Sequence, residues 1–264
     1  MTRAAVVASA LALTALLAVA AADDEPQVPD TLPEYFPKRE CRRSDSNKEA
    51  LGSCIRDNFR DLLPEIRDGG RLGLPSLEPF LLDNIKVDLK VFPIEFHSVL
   101  HNITVYGMSN VVVRGARANL KNDSMHIDVD LFWPNMTARG LFEFKNGVFA
   151  QWDFHGSGPF EFAFRDLSAT WHIHGARKPG DQHMTINRLV PNYSMKGMKF
   201  WGRNFVHGSA YLDDSVVSTV NRLWYQVVEL SKPFVKRPMA EVIMTKLANP
   251  VFKSLPYELI FPRD

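Results

Sequence analysis

Residues 121–133, KNDSMHIDVDLFW, alternate strictly: Ile127, Val129 and Leu131 are interleaved with His126, Asp128 and Asp130. A period of two places the aliphatic set on one face of a β-strand and the polar set on the other, giving one buried and one wet face. The next stretch, LFEFKNGVFAQWDF, sets Phe142 and Phe144 on one face ahead of Lys145-Asn146-Gly147. A three-residue turn there, with Gly147 left-handed, pairs Phe144 with Val148 and brings Val148, Ala150, Trp152 and Phe154 onto that face. Gly156-Ser157-Gly158-Pro159 turns the chain again. Phe160, Phe162 and Phe164 then alternate with Glu161, Ala163 and Arg165, and Trp171 and Ile173 with His172 and His174. From about Ile85 to Phe205 the pattern predicts a long antiparallel meander with an aromatic buried face.

Helical spacing flanks the meander. After a proline-rich entry (Pro26, Pro29, Pro33, Pro37), Ser46-Asn47-Lys48-Glu49 reads as a capping box, followed by Leu51, Ile55, Phe59 and Leu62. Pro64 and Gly69-Gly70 end that helix, and GLPSLEPFLLDN bridges to the first strand. Late in the chain Asp214 is the expected cap of a helix with apolar Val216, Val217, Val220, Leu223, Trp224, Val227 and Val228. Pro233 is expected to interrupt it, Pro238 to start a second piece with Met239, Val242, Ile243 and Leu247, and Asn249-Pro250 to stop it. An antiparallel sheet buries one face, and only two helices are available to cover it. The economical solution is an α+β module in which a strongly curved sheet wraps a long C-terminal helix.

Composition bounds the rest. With 264 residues, 45% hydrophobic and 23% charged, the chain is globular rather than disordered, and a net charge of +1 points to no nucleic-acid partner. The start MTRAAVVASALALTALLAVAAADD has one cation, an apolar run and small residues before Ala22, the parts of a secretory signal peptide over residues 1–22. Its removal takes Arg3 and leaves 30 cations against 30 acids, in a single domain over residues 23–264. No second apolar run is long enough to span a bilayer, so the expectation is a secreted extracellular monomer with no stable membrane insertion. Asn102, Asn122, Asn135 and Asn192 head N-x-S/T sequons. In an exported chain the two cysteines, Cys41 and Cys54, read as a disulfide that staples the N-terminal segment to its helix.

Several stretches together resemble the takeout / juvenile-hormone-binding protein family of arthropods. They are CRRSDSNKEALGSCIRDNFRDLLPEIRDG, LGLPSLEPFLLDNI, GSGPFEFAF, NRLWYQVVELSKP and KLANPVFKSLPYELIFP, in that order over nearly the whole mature chain. The resemblance implies a fold related to the tubular lipid-binding superfamily, here as one module. It also implies a secreted, haemolymph-type carrier of a small hydrophobic molecule in a long internal tunnel, without chemistry of its own. Members are tied to juvenile hormone transport or response, feeding, circadian output and chemosensation. The hormone-carrier branch has additional cysteines; a single pair favours the takeout-like branch and leaves the ligand open among juvenile-hormone-like terpenoids, fatty acids and similar molecules.

The expected binding surface is the apolar face: Phe142, Phe144, Trp152, Phe154, Phe162 and Trp171 from the sheet, with Val220, Trp224 and Val227 from the helix. Tyr106, Tyr193 and Tyr225 are alternatives for a hydrogen bond to a ligand carbonyl or epoxide. His172, His174 and His183 bring three imidazoles near one another, but opposite Trp171 and Ile173 they belong to the wet side, so no metal or cofactor is expected. His97 and His101 are separated along a strand. Asp128 and Asp130 read as a solvated face rather than an acid/base pair, and Gly156-Ser157-Gly158 as a turn rather than a nucleophile elbow. The rival to a carrier is a secreted hydrolase of lipid or hormone esters, which requires a nucleophile and base converging on the interior. A receptor is not named by the sequence.

Overall fold

Nine strands, among the described residues, form one antiparallel sheet: β1 (Phe80–Leu82), β2 (Ile85–Val91), β3 (Ile94–Tyr106), β4 (Val112–Leu120), β5 (Ser124–Phe149), β6 (Trp152–Phe154), β7 (Ser157–Ala176), β8 (Thr185–Ser194) and β9 (Gly197–Gly202). The computed structural model describes the backbone of residues 29, 31–43, 47–91, 94–149, 152–154, 156–205 and 209–263, without the side chains of 89–96 and 145–155. The signal peptide expected over residues 1–22 lies outside the described residues. Thr31–Asp264 forms one compact unit.

The 26 residues of β5 would reach about 85 Å if straight, so shorter neighbours share its length. Along one side β4 pairs with Met125–Phe132 and β3 with Thr137–Phe149; along the other β7 pairs from Ser124 to Glu143. β8 and β9 divide β7 in the same way, and β1 and β2 divide β3. The interruptions align: Gly107–Val111 between β3 and β4, Pro134 in β5, Asp166 in β7 and residues 195–196 between β8 and β9 lie side by side across the sheet.

At this crease the inward parity inverts. Met125, Ile127, Val129, Leu131 and Trp133 are buried at odd positions, whereas Phe142 is buried at an even one. In β7, Phe160 is buried at an even position and Leu167 and Ala169 at odd ones. Asp166 adopts φ 49°, a left-handed conformation that turns the strand without breaking the ladder. Glu78 pins the crease by accepting from Gly107 N at 2.9 Å and Ser109 Oγ at 3.0 Å, and Trp133 Nε1 donates to Met108 O at 3.1 Å.

The helices are α1 (Lys48–Ile66), α2 (Ala210–Arg222), α3 (Trp224–Val242), a π-turn over Ile243–Ala248, α4 (Asn249–Ser254) and α5 (Tyr257–Ile260). α3 touches β2 at one margin of the sheet and both β8 and β9 at the other. Opposite margins reach one helix only if the sheet wraps it, which is the expected architecture. α1 lies on β4, where Gly52 has no room for a side chain: a Cβ would stand 2.2 Å from Ala116 O. The Cys41–Cys54 disulfide forms as expected, holding the N-terminal segment against α1.

Several local expectations are corrected. The turn expected at Lys145-Asn146-Gly147 is strand: β5 continues to Phe149, which pairs with Trp152 of β6. That segment is hydrogen-bonded to β3 on one side and β6 on the other, and the two ladders override the local turn propensity. Asn47 caps α1, accepting from Glu49 N and Ala50 N, and the helix runs through Pro64 to Ile66. Ser209, not Asp214, caps α2 by accepting from Leu212 N. Asp214 pairs instead with Arg203, and the buried Asp213 accepts from Asn204 N and Phe205 N, tying α2 to the end of β9. The long helix breaks at Leu223 (φ −104°, ψ 23°); Pro233 and Pro238 lie within α3, and Pro250 starts α4 rather than stopping the helix.

Candidate ligand-binding interior

The crease divides the interior in two. On the β4–β8 side an aliphatic group gathers Leu51 and Ile55 of α1, Ile127, Val129 and Trp133 of β5, and Met184, Tyr257 and Phe261. On the β3–β9 side the group is aromatic. Phe142 stacks on Phe205 at 4.7 Å and 4° and meets Phe144 at 4.9 Å. Phe162 meets Phe200 at 4.8 Å, Phe160 at 5.6 Å and Phe164 at 6.0 Å. Val216, Val217 and Val220 of α2 pack on these rings. Asn221 fixes α2 to β9, accepting from Phe200 N at 2.7 Å and donating to Phe200 O at 2.8 Å.

Of the nine residues expected at the site, Phe142, Phe144, Phe162 and Val220 are thus brought together. Trp171 stands on the other side of the crease, 6.1 Å from Trp133 and beside the Leu189–Ala240–Ile243 group under α3. Trp224 and Val227 are half-buried on α3, the Trp224 ring edge-on to Tyr225 at 5.8 Å. Trp152 and Phe154 form β6, with side chains outside the described residues. Phe142 is buried, whereas Phe144 and Phe162 are half-buried.

Three contributors were missed from sequence. Phe200 and Phe205 complete the ring cluster, and the alternation Met198, Phe200, Gly202 in β9 was a usable signal for the first. The third is polar. Tyr257 is fully buried among the aliphatic side chains, its ring lying between the Arg43 and Arg177 guanidinium groups at 5.0 and 5.4 Å. Both arginines pair with Glu258, and the Tyr257 hydroxyl has no hydrogen-bond partner among the described residues. Burial pushes that hydroxyl up to about 12. Of the expected tyrosines, Tyr106 and Tyr225 are exposed, whereas Tyr193 is half-buried against the aliphatic group and burial raises its hydroxyl pKa.

The polar face differs from a plain solvated one. Asp128 and Asp130 lie on a central strand, where Arg117 Nη1 donates to Asp130 at 2.8 Å and Thr170 Oγ1 to Asp130 at 2.7 Å. Burial raises the Asp130 carboxyl, but the Arg117 and Thr170 hydrogen bonds outweigh it and hold it below the ordinary carboxylate value. His172 and His174 share this face with His126, while His183 stands apart near Asp181. His97 bonds Asp88, and His101 bonds Asn84 and Glu143. An open cleft between α1 and β4, lined by Lys48, Arg56 and Arg117, is separate from the aromatic interior. No described helix is long and apolar enough to cross a membrane.

The family model for haemolymph juvenile hormone binding protein matches residues 12–262. Among solved structures, the crystal structure of Takeout 1 from Epiphyas postvittana superposes with a TM-score of 0.65 at 19% identity, covering 81% of this chain and 97% of that one. A crystal structure of lipopolysaccharide binding protein aligns at a TM-score of 0.30 and 10% identity, over 76% of this chain and 38% of that one. No curated protein matches by sequence.

Proposed function

Because the chain belongs to the haemolymph juvenile hormone binding protein family, whose members carry hydrophobic ligands, we propose that it is a secreted, non-enzymatic carrier of one small apolar molecule. The ligand, a juvenile-hormone-like terpenoid or a fatty acid, lies against the aromatic half of the wrapped sheet. The carrying observation is the incomplete cover of Phe144 and Phe162 beside a fully packed Phe142. Each ligand methylene transferred onto such surface contributes about 0.8 kcal/mol, so a long aliphatic molecule binds with few polar contacts. The single cysteine pair supports the takeout-like branch, with its links to hormone response, feeding and circadian output. The N-terminal run supports cleavage after Ala22, and the sequon asparagines Asn102, Asn122, Asn135 and Asn192 are exposed and open to glycosylation.

Displacement of a fluorescent fatty acid from the purified mature chain by unlabelled fatty acids and terpenoids tests this reading. Wild type is expected to bind the probe, and Phe162→Asp to lose it while retaining a cooperative melt. A wild-type chain that binds neither fatty-acid nor terpenoid probes refutes the carrier assignment.

A further inference from the structure

On the polar face of the sheet, β5 and β7 bring together side chains that ligand carriage does not use. Asp128 stands opposite His172, and His126 opposite His174, in the β5–β7 register. His172 Nδ1 lies 2.6 Å, and His126 Nε2 3.1 Å, from the same oxygen of Asp128, Oδ1. These three ligand atoms all fall within 4.8 Å of one another, and the Asp128 side chain is 17% exposed.

We propose that His126, Asp128 and His172 bind a divalent transition cation of the Zn2+ or Cu2+ class, cross-linking the two longest strands from outside. Two imidazole nitrogens and a carboxylate oxygen suit these borderline ions and are a poor set for Ca2+ or Mg2+. A tetrahedral ion with bonds of about 2.0–2.2 Å holds its ligands roughly 3.3–3.5 Å apart. The observed nitrogen–oxygen spacings therefore need side-chain shifts below about 1 Å. Water takes the fourth position.

The remaining ring nitrogens are equipped for either state. His126 Nδ1 is 3.2 Å from His174 Nδ1, and His172 Nε2 is 3.1 Å from the Asn192 side-chain amide. Without an ion, His174 donates to His126, the Asn192 amide donates to His172, and His126 Nε2–H and His172 Nδ1–H both donate to Asp128. With an ion, each ligating proton moves to the far nitrogen of its own ring. His126 Nδ1–H then donates to His174 Nδ1, whose own proton moves to its Nε2, and His172 Nε2–H donates to the Asn192 carbonyl once that amide turns over and releases Lys236. No proton is lost, and the far nitrogen of each ligating imidazole keeps a partner, the arrangement that orients imidazole ligands. The surrounding charges are Arg117, drawn to Asp130 at 2.8 Å and standing 3.7 Å from Asp128 Oδ2, with Arg188 opposite His174 and Lys236 on Asn192. Oδ1, the oxygen facing both imidazoles, is left to the cation.

The test is Zn2+ binding by the untagged mature chain, measured by competition with a chromophoric chelator and by melting with Zn2+, Mg2+ or EDTA. One Zn2+ per chain is expected, with a rise in Tm that Mg2+ does not reproduce. Asp128→Asn and His172→Gln should bind at least ~10-fold more weakly, and His174→Gln, which removes an orienting partner, ~10- to 100-fold more weakly. His183→Gln should bind as wild type. Melting in EDTA shows whether each variant is folded. Should a variant not fold, the Cu2+ form of wild type decides through its electron paramagnetic resonance: coupling to two imidazole nitrogens supports the site. Absence of Zn2+ binding by wild type, or wild-type affinity in folded Asp128→Asn and His172→Gln, overturns it.

Discussion

Replacing Phe142 by alanine isolates the aromatic half of the interior. The ring is 4% exposed, lies parallel to Phe205 at 4.7 Å and meets Phe144 at 4.9 Å. Removing a fully packed phenylalanine forfeits its transfer energy and leaves a cavity that its neighbours refill only in part, at about 3–5 kcal/mol. Of this, about 0.5–1.5 kcal/mol belongs to ring–ring geometry beyond area burial. For a domain of this size each kcal/mol moves Tm by about 2–4 °C, so Phe142→Ala should melt roughly 6–20 °C lower. Urea unfolding of Phe142→Ala, Phe205→Ala and the double variant should show a coupling of about 0.5–1.5 kcal/mol with an unchanged m-value. Phe162→Ala should cost less stability and more probe affinity, because its ring is only half-buried. A loss below about 1 kcal/mol in Phe142→Ala, or additive effects at Phe142 and Phe205, would show that the rings do not pack as described.

Converting Cys41 and Cys54 to serine opens a loop of 13-residue separation and should cost about 3 kcal/mol, read as a lower urea midpoint; equal midpoints would contradict a structural disulfide. Gly52→Ala improves helix propensity by about 1 kcal/mol but drives a Cβ into Ala116 O, so overpacking should win and lower Tm; a stabilised variant would mean that α1 does not sit on β4. Acid should weaken the fold in two stages. His174 has a lowered pKa, so below about 6.5 the unfolded chain takes up a proton that the native one resists, and stability falls as pH drops. Burial raises Glu258, but Arg177 and Arg43 together hold it below its ordinary 4.5, so its contribution persists above that value and is lost as pH falls through the depressed one. His174→Gln should flatten the first stage of a Tm-against-pH profile and leave the second, whereas an unchanged first stage would exclude His174 as its source.

What was legible was whatever local periodicity encodes. The alternation about Ile127, Val129 and Leu131 and about Phe160, Phe162 and Phe164 located β5 and β7, and the spacing of Leu51, Ile55 and Leu62 located α1. The misread positions are those where non-local pairing outweighs a local signal. Lys145-Asn146-Gly147 carries strong turn residues, yet two ladders hold it extended. Pro233 and Pro238 remove backbone donors inside α3, but the break falls at Leu223, whose side chain gives no cue. The site divides likewise: Phe142, Phe144, Phe162 and Val220 converge because strand parity and helix phase suffice to aim them. Trp171 goes elsewhere because the inward parity changes between Phe164 and Leu167. The pairing of Asp128 with His172 depends on a register set across 44 residues of chain, which no local pattern carries.

The crease explains why one sheet encloses two unlike interiors. A ladder of constant parity offers one continuous apolar face, and a side chain's inward or outward aim cannot change along it without an extra residue or a left-handed one. Here both central strands change parity at the same rung, Pro134 beside Asp166, so the ladder between them keeps its register while both inward faces shift together. The flanking ribbons cannot follow and are interrupted there, at Gly107–Val111 and at residues 195–196. Gly107 is required at that point: its φ is 81°, and a Cβ would meet Asn135 O at 2.6 Å. The aliphatic side is tied down by α1, the disulfide and the Arg43–Glu258–Arg177 group. The aromatic side is covered instead by α2, held to the end of β9 through Asn221, Asp213 and the three valines, so the two halves are anchored by different elements of the chain.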